Sequence, residues 1–483
     1  MIRWCGEDLP WEAAKFHFLV TGATGSGKTA LLRVLLQSVL GGEEPTGRAL
    51  IYDPKQDFLP ILDGILRWSF DGDIEDRLCI LNPFDVRGVQ WDIASDITNP
   101  AAARQIAATL VPEDPSSASP FFARAAQDIA YGVILSFITT QVPWTFRDLI
   151  LALTTGPELT KQILELTPAN GNRLRSYFGT SETNQSVWST LQTKVSVYEP
   201  IAAGFDCCAR AISLSEWVKG HSAQVLVLRT NQSVREPIDA FNAVIFRRLS
   251  ELILDLPDLP APSPSERIWV FLDECREAGR LDGLRSLLNM GRSKGATVVL
   301  SFQDIDGIKA VYGDHEALEL TGQCGNKALL RLESPATAAW CSSIFGEERV
   351  VVTDSSSGVS AGSGAQYSSG ESSREVDRPR VLASRFFAIP AASESSGVHG
   401  IAKRFDQPGR VEFHMKPFPT IEPSEVSEER RRQKLWKPSE IEPVWTRLDR
   451  DLFLEPWSGE DMRRLGLESP RNLDAARRPR AET

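Results

Sequence analysis

The stretch Gly22-Ala23-Thr24-Gly25-Ser26-Gly27-Lys28-Thr29 fits the pattern G-x-x-x-x-G-K-[ST]. A short apolar run at residues 16–20 precedes it, and apolar residues at helical spacing follow it over 30–40. The order strand, glycine loop, helix is the context in which this pattern predicts phosphate binding. Glycines let backbone amides wrap an anion, and the helix N-terminus adds partial positive charge. The alternative is a glycine-rich turn that binds nothing.

This loop predicts a nucleotide with a divalent cation. The loop residues that would cradle the phosphates of ATP are Gly22, Ala23, Thr24, Gly25, Ser26 and Gly27, followed by Lys28 and Thr29. Lys28 is expected to reach the β- and γ-phosphates, and the Thr29 hydroxyl to hold Mg²⁺. We therefore predict ATP and Mg²⁺ as cofactors.

A second motif, which is acidic, follows the apolar run Ile268–Leu272. This run has the composition of a buried strand. The run ends in Asp273 and Glu274, and ligands bind at the carboxyl ends of parallel strands. Asp273 is expected to complete the Mg²⁺ shell, and Glu274 to polarise the attacking water. The alternative is a pair of acids that simply ends a strand.

The alternation of strands and helices predicts an α/β fold with a parallel-rich sheet, interrupted by an all-α domain. Apolar runs at 49–52, 77–81, 224–228, 268–272, 297–302 and 327–332 are predicted strands, whereas 97–215 shows helical periodicity. We predict a nucleotide-binding domain in two parts, with the following order of segments: nucleotide-binding 1–96, all-α 97–215, nucleotide-binding 216–420, and a charged C-terminal tail 421–483. The Ser/Gly-rich stretch 354–373 is predicted to be a mobile loop.

Composition excludes several classes of protein. With 53 Lys+Arg against 64 Asp+Glu, the formal net charge is −11, so the chain is not a generally basic nucleic-acid coat protein. The 7 cysteines show no zinc-ligand spacing, which favours a reducing compartment. The most apolar stretch, 121–138, contains Arg124 and Asp128, so we expect no membrane span. No histidine lies in a metal-ligand or triad-like pattern.

The chain resembles the coupling proteins of type IV secretion and bacterial conjugation (TraD/TraG-like), which are related to the FtsK/HerA-type DNA translocases. The resemblance covers most of residues 15–390, in the order typical of the family. It rests on these stretches: 22–29, Ile51-Tyr52-Asp53-Pro54-Lys55, Asn82-Pro83-Phe84, Trp91-Asp92, Phe271-Leu272-Asp273-Glu274, Gly291-Arg292-Ser293-Lys294-Gly295, Leu300-Ser301-Phe302-Gln303, Val311-Tyr312-Gly313 and Arg378-Pro379-Arg380.

The resemblance implies a RecA-like P-loop NTPase domain that carries an all-α domain. It implies an ATPase that forms a homo-hexameric ring and moves DNA, with a relaxase or other secretion substrates and type IV secretion components as partners. Only about fifteen residues precede the first predicted strand, so we expect the family's N-terminal membrane helices to be absent. Either the chain belongs to a naturally soluble branch of the family, or a separate membrane-anchor subunit supplies the docking to the membrane. The expected location is the cytoplasm, with peripheral attachment at the inner membrane as an alternative.

Two further site residues follow from the resemblance. Arg292 matches the arginine finger that the family presents to a neighbouring subunit, and Gln303 matches its phosphate-sensing glutamine. The alternatives are a helix-terminal cation at Arg292 and an ordinary polar strand end at Gln303. Asp53 and Lys55 are expected near the nucleotide without an assigned role, and Gln56 stands where the family commonly has glycine.

Two other functions remain open from the sequence. The first is a nucleotide-switched adaptor that recruits relaxase or effector substrates without translocation. A C-terminal tail with Trp436, Trp445 and Trp457 would suit that role. The second is a HerA-like motor in DNA repair or defence, which shares the same ATPase residues.

Overall fold

The computed structural model of the chain describes residues 1–41, 47–69, 74–113, 120–220, 224–230, 232–360, 366–393, 395–407, 409, 411–415 and 453–467. Its strands, numbered in chain order, are β1 (Ile2–Trp4), β2 (Glu7–Leu9), β3 (Phe18–Thr21), β4 (Arg48–Asp53), β5 (Leu78–Ile80), β6 (Gln90–Trp91), β7 (Ala211–Ile212), β8 (Val225–Arg229), β9 (Ile268–Leu272), β10 (Ala296–Phe302), β11 (Asn326–Leu329), β12 (Glu347–Ser360), β13 (Gln366–Pro379), β14 (Val398–Lys403) and β15 (Val411–Met415).

The helices outnumber the strands. They are α1 (Lys28–Leu40), α2 (Phe58–Ser69), α3 (Ile93–Asp96), α4 (Pro100–Leu110), α5 (Phe121–Thr140), α6 (Phe146–Thr154), α7 (Pro157–Glu165), α8 (Pro168–Leu174), α9 (Glu182–Val195), α10 (Glu199–Phe205), α11 (Leu214–Lys219), α12 (Arg235–Leu254), α13 (Leu284–Met290), α14 (Ile305–Tyr312), α15 (Asp314–Gly322), α16 (Pro335–Ser343), α17 (Ala383–Phe387) and α18 (Gly459–Arg464).

The chain divides into two compact units. The first comprises Met1–Ser38, Glu274–Arg276 and Val299–Glu425, and the second comprises Val39–Asp273, Glu277–Val298 and Val426–Thr483. Each unit contains strands that are almost wholly buried. Such strands consist of continuous apolar runs because helices cover both faces of a parallel sheet.

In the first unit, β3 lies between β10 and β11 and is parallel to both. The antiparallel strands β14 and β15 extend this sheet beyond β11. The β3 register pairs Thr21 with Phe302 on one side and with Leu329 on the other. The loop that follows Thr21 therefore begins at the carboxyl end of three adjacent parallel strands.

In the second unit, the strand order is β9-β4-β8-β5, and every pair is parallel. The register pairs Tyr52 with Leu272 and Asp53 with Arg229. Polar residues at these strand ends consequently meet at one edge of the sheet.

The helices α3–α10 form the all-α part of the second unit, which the chain enters after β6 and leaves through β7, its short parallel partner. The buried Asp96 carboxylate joins the two ends of this part. It accepts hydrogen bonds from Trp91 Nε1 at 2.6 Å, Ser213 Oγ at 2.8 Å, Leu214 N at 2.7 Å and Ser215 N at 2.8 Å. The fold thus closes the helical part near the positions where the sequence predicts its limits; the predicted domain division itself stays a prediction.

Helix α5 runs through the middle of the helical part. It packs against α4, α6, α7, α8 and α9. At Gly132, an added Cβ would lie 2.4 Å from Leu174 Cδ1 and 2.8 Å from Leu164 Cδ2, so a larger residue there would have to displace these two leucine side chains. Within the described residues, α5 alone is long and apolar enough to cross a membrane, and 56% of its most apolar 18-residue window is buried inside the protein.

The stretch 354–373 is predicted to be a mobile Ser/Gly loop, and the prediction of an irregular loop is wrong. Its residues up to Ser360 belong to β12 and those from Gln366 onward to β13, an antiparallel pair in the first unit. Cross-strand ion pairs support the pairing, with Arg349 Nε 3.0 Å from Asp377 Oδ1 and Arg374 Nε 3.7 Å from Asp354 Oδ2. Residues 361–365 lie outside the described residues.

The predicted charged tail at 421–483 is described only over 453–467, where it forms α18. Trp457 belongs to this segment, whereas Trp436 and Trp445 lie outside the described residues. All 7 cysteines are free thiols, of which Cys207 is exposed and the others are buried.

Candidate active site

The glycine loop between β3 and α1 has the backbone shape that its sequence predicts. Gly25 and Gly27 have φ angles of 74° and 97°, which residues with a Cβ rarely adopt. An added Cβ on Gly27 would also lie 2.7 Å from Val398 Cγ2. Helix α1 begins at Lys28, so the loop leads directly into a helix N-terminus.

Neighbouring strands and a later loop hold the glycine loop in place. Gly22 N donates to Phe302 O at 3.4 Å, and Ala23 N donates to Arg331 O at 2.8 Å. Gly25 O accepts a hydrogen bond from Ala392 N at 3.1 Å. The loop is therefore fixed to the ends of β10 and β11 and to the segment before β14. Ser26 Oγ is buried there and has no hydrogen-bond partner among the described residues.

Lys28 is the buried cation of the loop, with only 6% of its side chain exposed. Its Nζ donates to Gly22 O at 2.6 Å and lies 3.5 Å from Glu274 Oε1. Glu274 is 7% exposed and has a φ of 44°, the left-handed conformation that favours glycine. The carboxylate and the loop lysine thus form a buried ion pair within the first unit.

Gln303 connects Glu274 with the glycine loop. Its Nε2 donates to Glu274 Oε1 at 3.2 Å, and its Oε1 accepts from Thr24 Oγ1 at 3.4 Å. Gln303 follows β10 directly, and the register of β10 with β3 brings it beside Thr21, whose Oγ1 donates to Gln303 O at 3.5 Å. Four of the predicted residues, Thr24, Lys28, Glu274 and Gln303, therefore form one contiguous network.

The second unit carries its own polar cluster at the ends of β4, β8 and β9. Asp273 directly follows β9 and is 3% exposed, and its charge acts on the wholly buried Asp53, which ends the neighbouring strand β4. The pKa of Asp53 is raised to about 6, chiefly by burial and to a smaller extent by the Asp273 charge, against the opposing effects of Arg229 and two backbone amides. Those amides belong to Asp57 and Phe58, each 3.1 Å from an Asp53 carboxylate oxygen.

Arg229 is a buried residue of this cluster that the sequence interpretation missed. It is 1% exposed, and its guanidinium lies 3.2 Å from Asp85 Oδ2 and donates to Gln56 Oε1 at 2.9 Å. Gln56 Nε2 donates in turn to Thr230 O at 2.8 Å. A signal existed in the sequence, since an arginine directly after the apolar run 225–228 lies at the same sheet edge as Asp53.

Gln56 stands where the family commonly has glycine, and its hydrogen bonds explain how a residue with a side chain is accommodated there. Its φ is 63°, so the backbone there is left-handed, as glycine would allow without strain. The two side-chain hydrogen bonds to Arg229 and Thr230 offset that strain.

The remaining predicted residues lie as follows. Thr29 is half-buried in the first turn of α1. Arg292 is exposed in a short helical turn, Gly291–Lys294, of the second unit, which ends at Gly295 with a φ of 84°. This placement agrees both with a residue presented to another molecule and with a helix-terminal cation. Within the described ranges, no three acidic, histidine or cysteine residues cluster as metal ligands.

A family model described as the type IV secretion-system coupling protein DNA-binding domain matches residues 3–407. The chain belongs to this family. The resemblance predicted from the ordered motifs is therefore confirmed.

Solved structures of coupling proteins share the fold. Bacterial conjugative coupling protein TrwBdeltaN70, in its unbound monoclinic form, superposes with a TM-score of 0.67 at 21% identity, over 87% of this chain and 90% of that one. Plasmid coupling protein TrwB in complex with the GTP analogue GDPNP gives 0.66 at 21% identity, over 88% and 92%. Its complex with ADP and Mg²⁺ gives 0.66 at 20% identity, over 88% and 91%.

At this level of identity, these structures establish the fold and leave the chemistry to be argued from residues. The predicted class, a RecA-like P-loop NTPase with a parallel-rich sheet and an all-α insertion, is confirmed. No curated protein matches this coupling-protein chain significantly.

Proposed function

We propose that this coupling protein is an ATP-driven motor that moves DNA, or DNA with attached protein, during type IV secretion or conjugation. The observation that carries the proposal is the buried network of Lys28, Glu274 and Gln303 at the glycine loop. In this network, Lys28 is the proposed phosphate-binding cation and Glu274 is the proposed water-activating carboxylate. Gln303 is a polar side chain that would respond to a change in the distance between them. Coupling protein TrwB has been solved with ADP and Mg²⁺ and with nucleotide analogues, and we propose ATP and Mg²⁺ for this chain.

The residues present fit such a nucleotide. Gly25 and Gly27 have the left-handed backbone that loops use to surround a phosphate with amides, and Ser26 Oγ is a buried hydroxyl without a protein partner among the described residues. Thr29 and Asp273 carry oxygen donors of the kind that Mg²⁺ prefers, and each would serve as a ligand, with waters and phosphate oxygens as the others. A bound Mg²⁺ neutralises charge on the phosphates.

The protein residues would act in sequence. Lys28 would exchange its contacts with Gly22 O and Glu274 for a phosphate oxygen, which would remove the cation beside the Glu274 carboxylate. Glu274 is then positioned to accept a proton from the attacking water. Gln303 bonds to both Glu274 and Thr24, so a change at either is transmitted to the end of β10. Arg292 of an adjacent subunit would stabilise the transferred phosphoryl group.

The assembly is proposed to be a homo-hexamer that acts on DNA, with a relaxase or other secretion substrate and secretion-channel components as partners. The proposed location is the cytoplasm, at the periphery of the inner membrane. A ring multiplies each pore-facing cation by its number of subunits, so DNA binding is compatible with a net charge of −11.

The test is steady-state ATP hydrolysis with and without single- and double-stranded DNA. DNA should stimulate the wild type. Glu274→Gln should lower kcat at least 100-fold while nucleotide still binds, since general bases typically contribute 10²–10⁴-fold. Lys28→Ala should abolish nucleotide binding.

The exposed Glu348→Gln on β12 is the matched control and should behave as wild type. Stimulated hydrolysis that survives Glu274→Gln would contradict the motor. Slow turnover that ignores DNA, with tight nucleotide binding, would favour the adaptor.

A further inference from the structure

The C-terminal segment Phe453–Leu467 lies against the all-α part of its own unit. It contains α18, which begins with a capping box in which Ser458 Oγ accepts from Asp461 N and the Asp461 carboxylate accepts from Ser458 N. Three apolar side chains of the segment are buried, with exposures of 5% for Met462, 0% for Leu465 and 7% for Leu467. The segment is thus a small folded element of its own.

The centre of the contact is Asp148, on the first turn of α6, whose side chain is 0% exposed. Its Oδ1 accepts from Trp457 Nε1 at 2.8 Å, and Arg464 donates from both terminal nitrogens, at 2.9 Å to Oδ1 and 3.0 Å to Oδ2. A bidentate arginine is the strongest neutral-pH partner for a buried carboxylate. Arg464 also donates to Pro143 O.

Arg147, the residue before Asp148, hydrogen-bonds to the backbone of the segment. One terminal nitrogen, Nη2, donates to both Glu455 O at 2.7 Å and Pro456 O at 3.3 Å, and the other, Nη1, lies 3.6 Å from Asp461 Oδ2. Its Nε is held 2.7 Å from Asp206 Oδ2, at the end of α10. Asp148 and Arg147 therefore bind a tryptophan, two backbone carbonyls and an arginine that lies seven residues after the tryptophan.

We propose that Asp148 and Arg147 form a peptide-binding site on the all-α part, that the chain's own C-terminal segment occupies it, and that a segment of the same Trp/Arg chemistry from a second copy can replace it. Two observations favour exchange. Asp148 and Arg147 hold the segment through hydrogen bonds and ion pairs, and the same segment of a second copy would rebury its own Met462, Leu465 and Leu467 in place of those released. In addition, 37 residues separate Met415 from Phe453 (453 − 415 − 1), a length that spans up to about 120 Å when extended.

This inference goes beyond the proposed ATPase function and depends only on the second unit. Arg463 and Arg464 provide a matched pair for its test. Arg463 is exposed, and among the described residues its side chain hydrogen-bonds only to Gly459 O of its own helix, whereas Arg464 reaches Asp148.

The experiment uses the full-length chain and a fluorescently labelled peptide of residues 453–467. Arg464→Ala weakens the chain's own segment, so this variant should bind the peptide with a micromolar Kd. The wild type should bind it at least 10-fold more weakly, because a tethered competitor has an effective concentration of about 1 mM. Arg463→Ala should match the wild type.

Asp148→Asn should bind no peptide, and its melting temperature, followed by circular dichroism, identifies any loss of folding. Equal peptide affinity in the wild type and Arg464→Ala would overturn the proposal. So would a correctly folded Arg464→Ala chain that binds no peptide, or a peptide carrying Arg464→Ala that binds as well as the native one.

Discussion

Glu274 has a backbone conformation that amino acids other than glycine seldom adopt, with φ at 44°. Such positions cost of order 1–3 kcal/mol and are concentrated at functional sites. Here the left-handed turn follows β9 and directs the carboxylate to Lys28 Nζ, 3.5 Å away, and to Gln303 Nε2. The strain is consistent with the role proposed for Glu274.

The pKa of Asp53 predicts how the free energy of unfolding depends on pH. Its folded pKa of about 6 exceeds the usual 3.8, so between about pH 4 and 6 the folded state binds more protons than the unfolded state. The free energy of unfolding should therefore fall as pH rises through this window, by about 3 kcal/mol from this residue. Urea unfolding at pH 4 and 7.5 should show that Asp53→Asn removes this part of the decline.

Asp57 is the control for this measurement, since it is exposed and lies on the same turn. Asp57→Asn should leave the pH dependence of unfolding unchanged. If Asp53→Asn and the wild type lose stability in parallel between the two pH values, the proposed titration of Asp53 is wrong.

At the scale of elements, the hairpin of β12 and β13 shows where composition misleads. Serine and glycine dominate its middle, and composition alone predicts an irregular loop. The two strands nevertheless pair over their whole length, from Glu347 with Pro379 to Ser360 with Gln366. Cross-strand partners decide such pairing, and these cannot be known before the register is known.

Helix α5 allows a test of its place in the protein core. Ile134 is wholly buried and Thr139 is exposed on the same helix. Ile134→Asp should destabilise the protein by more than about 3 kcal/mol, because an unpaired carboxylate would be buried. Thr139→Asp should change stability by less than about 0.5 kcal/mol.

Chemical unfolding of the purified variants measures both values. If Ile134→Asp proved as stable as Thr139→Asp, the packing of α5 against its five neighbouring helices would be incorrect.

At the scale of the whole molecule, Arg292 predicts complementation between subunits. Lys28→Ala and Arg292→Ala should each be inactive alone. In mixed rings, an Arg292→Ala subunit with intact Lys28 can face a Lys28→Ala subunit with intact Arg292. An equal mixture should therefore recover about one quarter of wild-type hydrolysis. At each heterologous interface, the subunit that supplies Lys28 is intact there in about half of the cases, and its neighbour supplies an intact Arg292 in about half of those.

Lys294 is a suitable control, because it lies in the same turn and bonds to Leu256 O and Asp258. Lys294→Ala should retain activity without mixing. A mixture of the two inactive variants that stays inactive would remove Arg292 from the proposed site.

The sequence predicted those parts of the fold that are determined by apolar runs and by the glycines between secondary-structure elements. The loop 22–29, the strand before Asp273 and the helical part are local patterns, and each was found. The contacts of Arg229 with Asp85 and Gln56 join residues more than 140 positions apart, so they depend on strand order. The docking of Trp457 and Arg464 on Asp148 spans more than 300 positions and has no local signature.

Cys207 gives this molecule a natural attachment point for a dye. It is the exposed one among 7 free cysteines, so a brief maleimide reaction should label it in the unmodified chain. It directly follows Asp206, whose carboxylate holds Arg147. A fluorophore there would sit within a few residues of the Arg147–Asp148 site and would follow occupancy by residues 453–467 in real time, with no engineered cysteine.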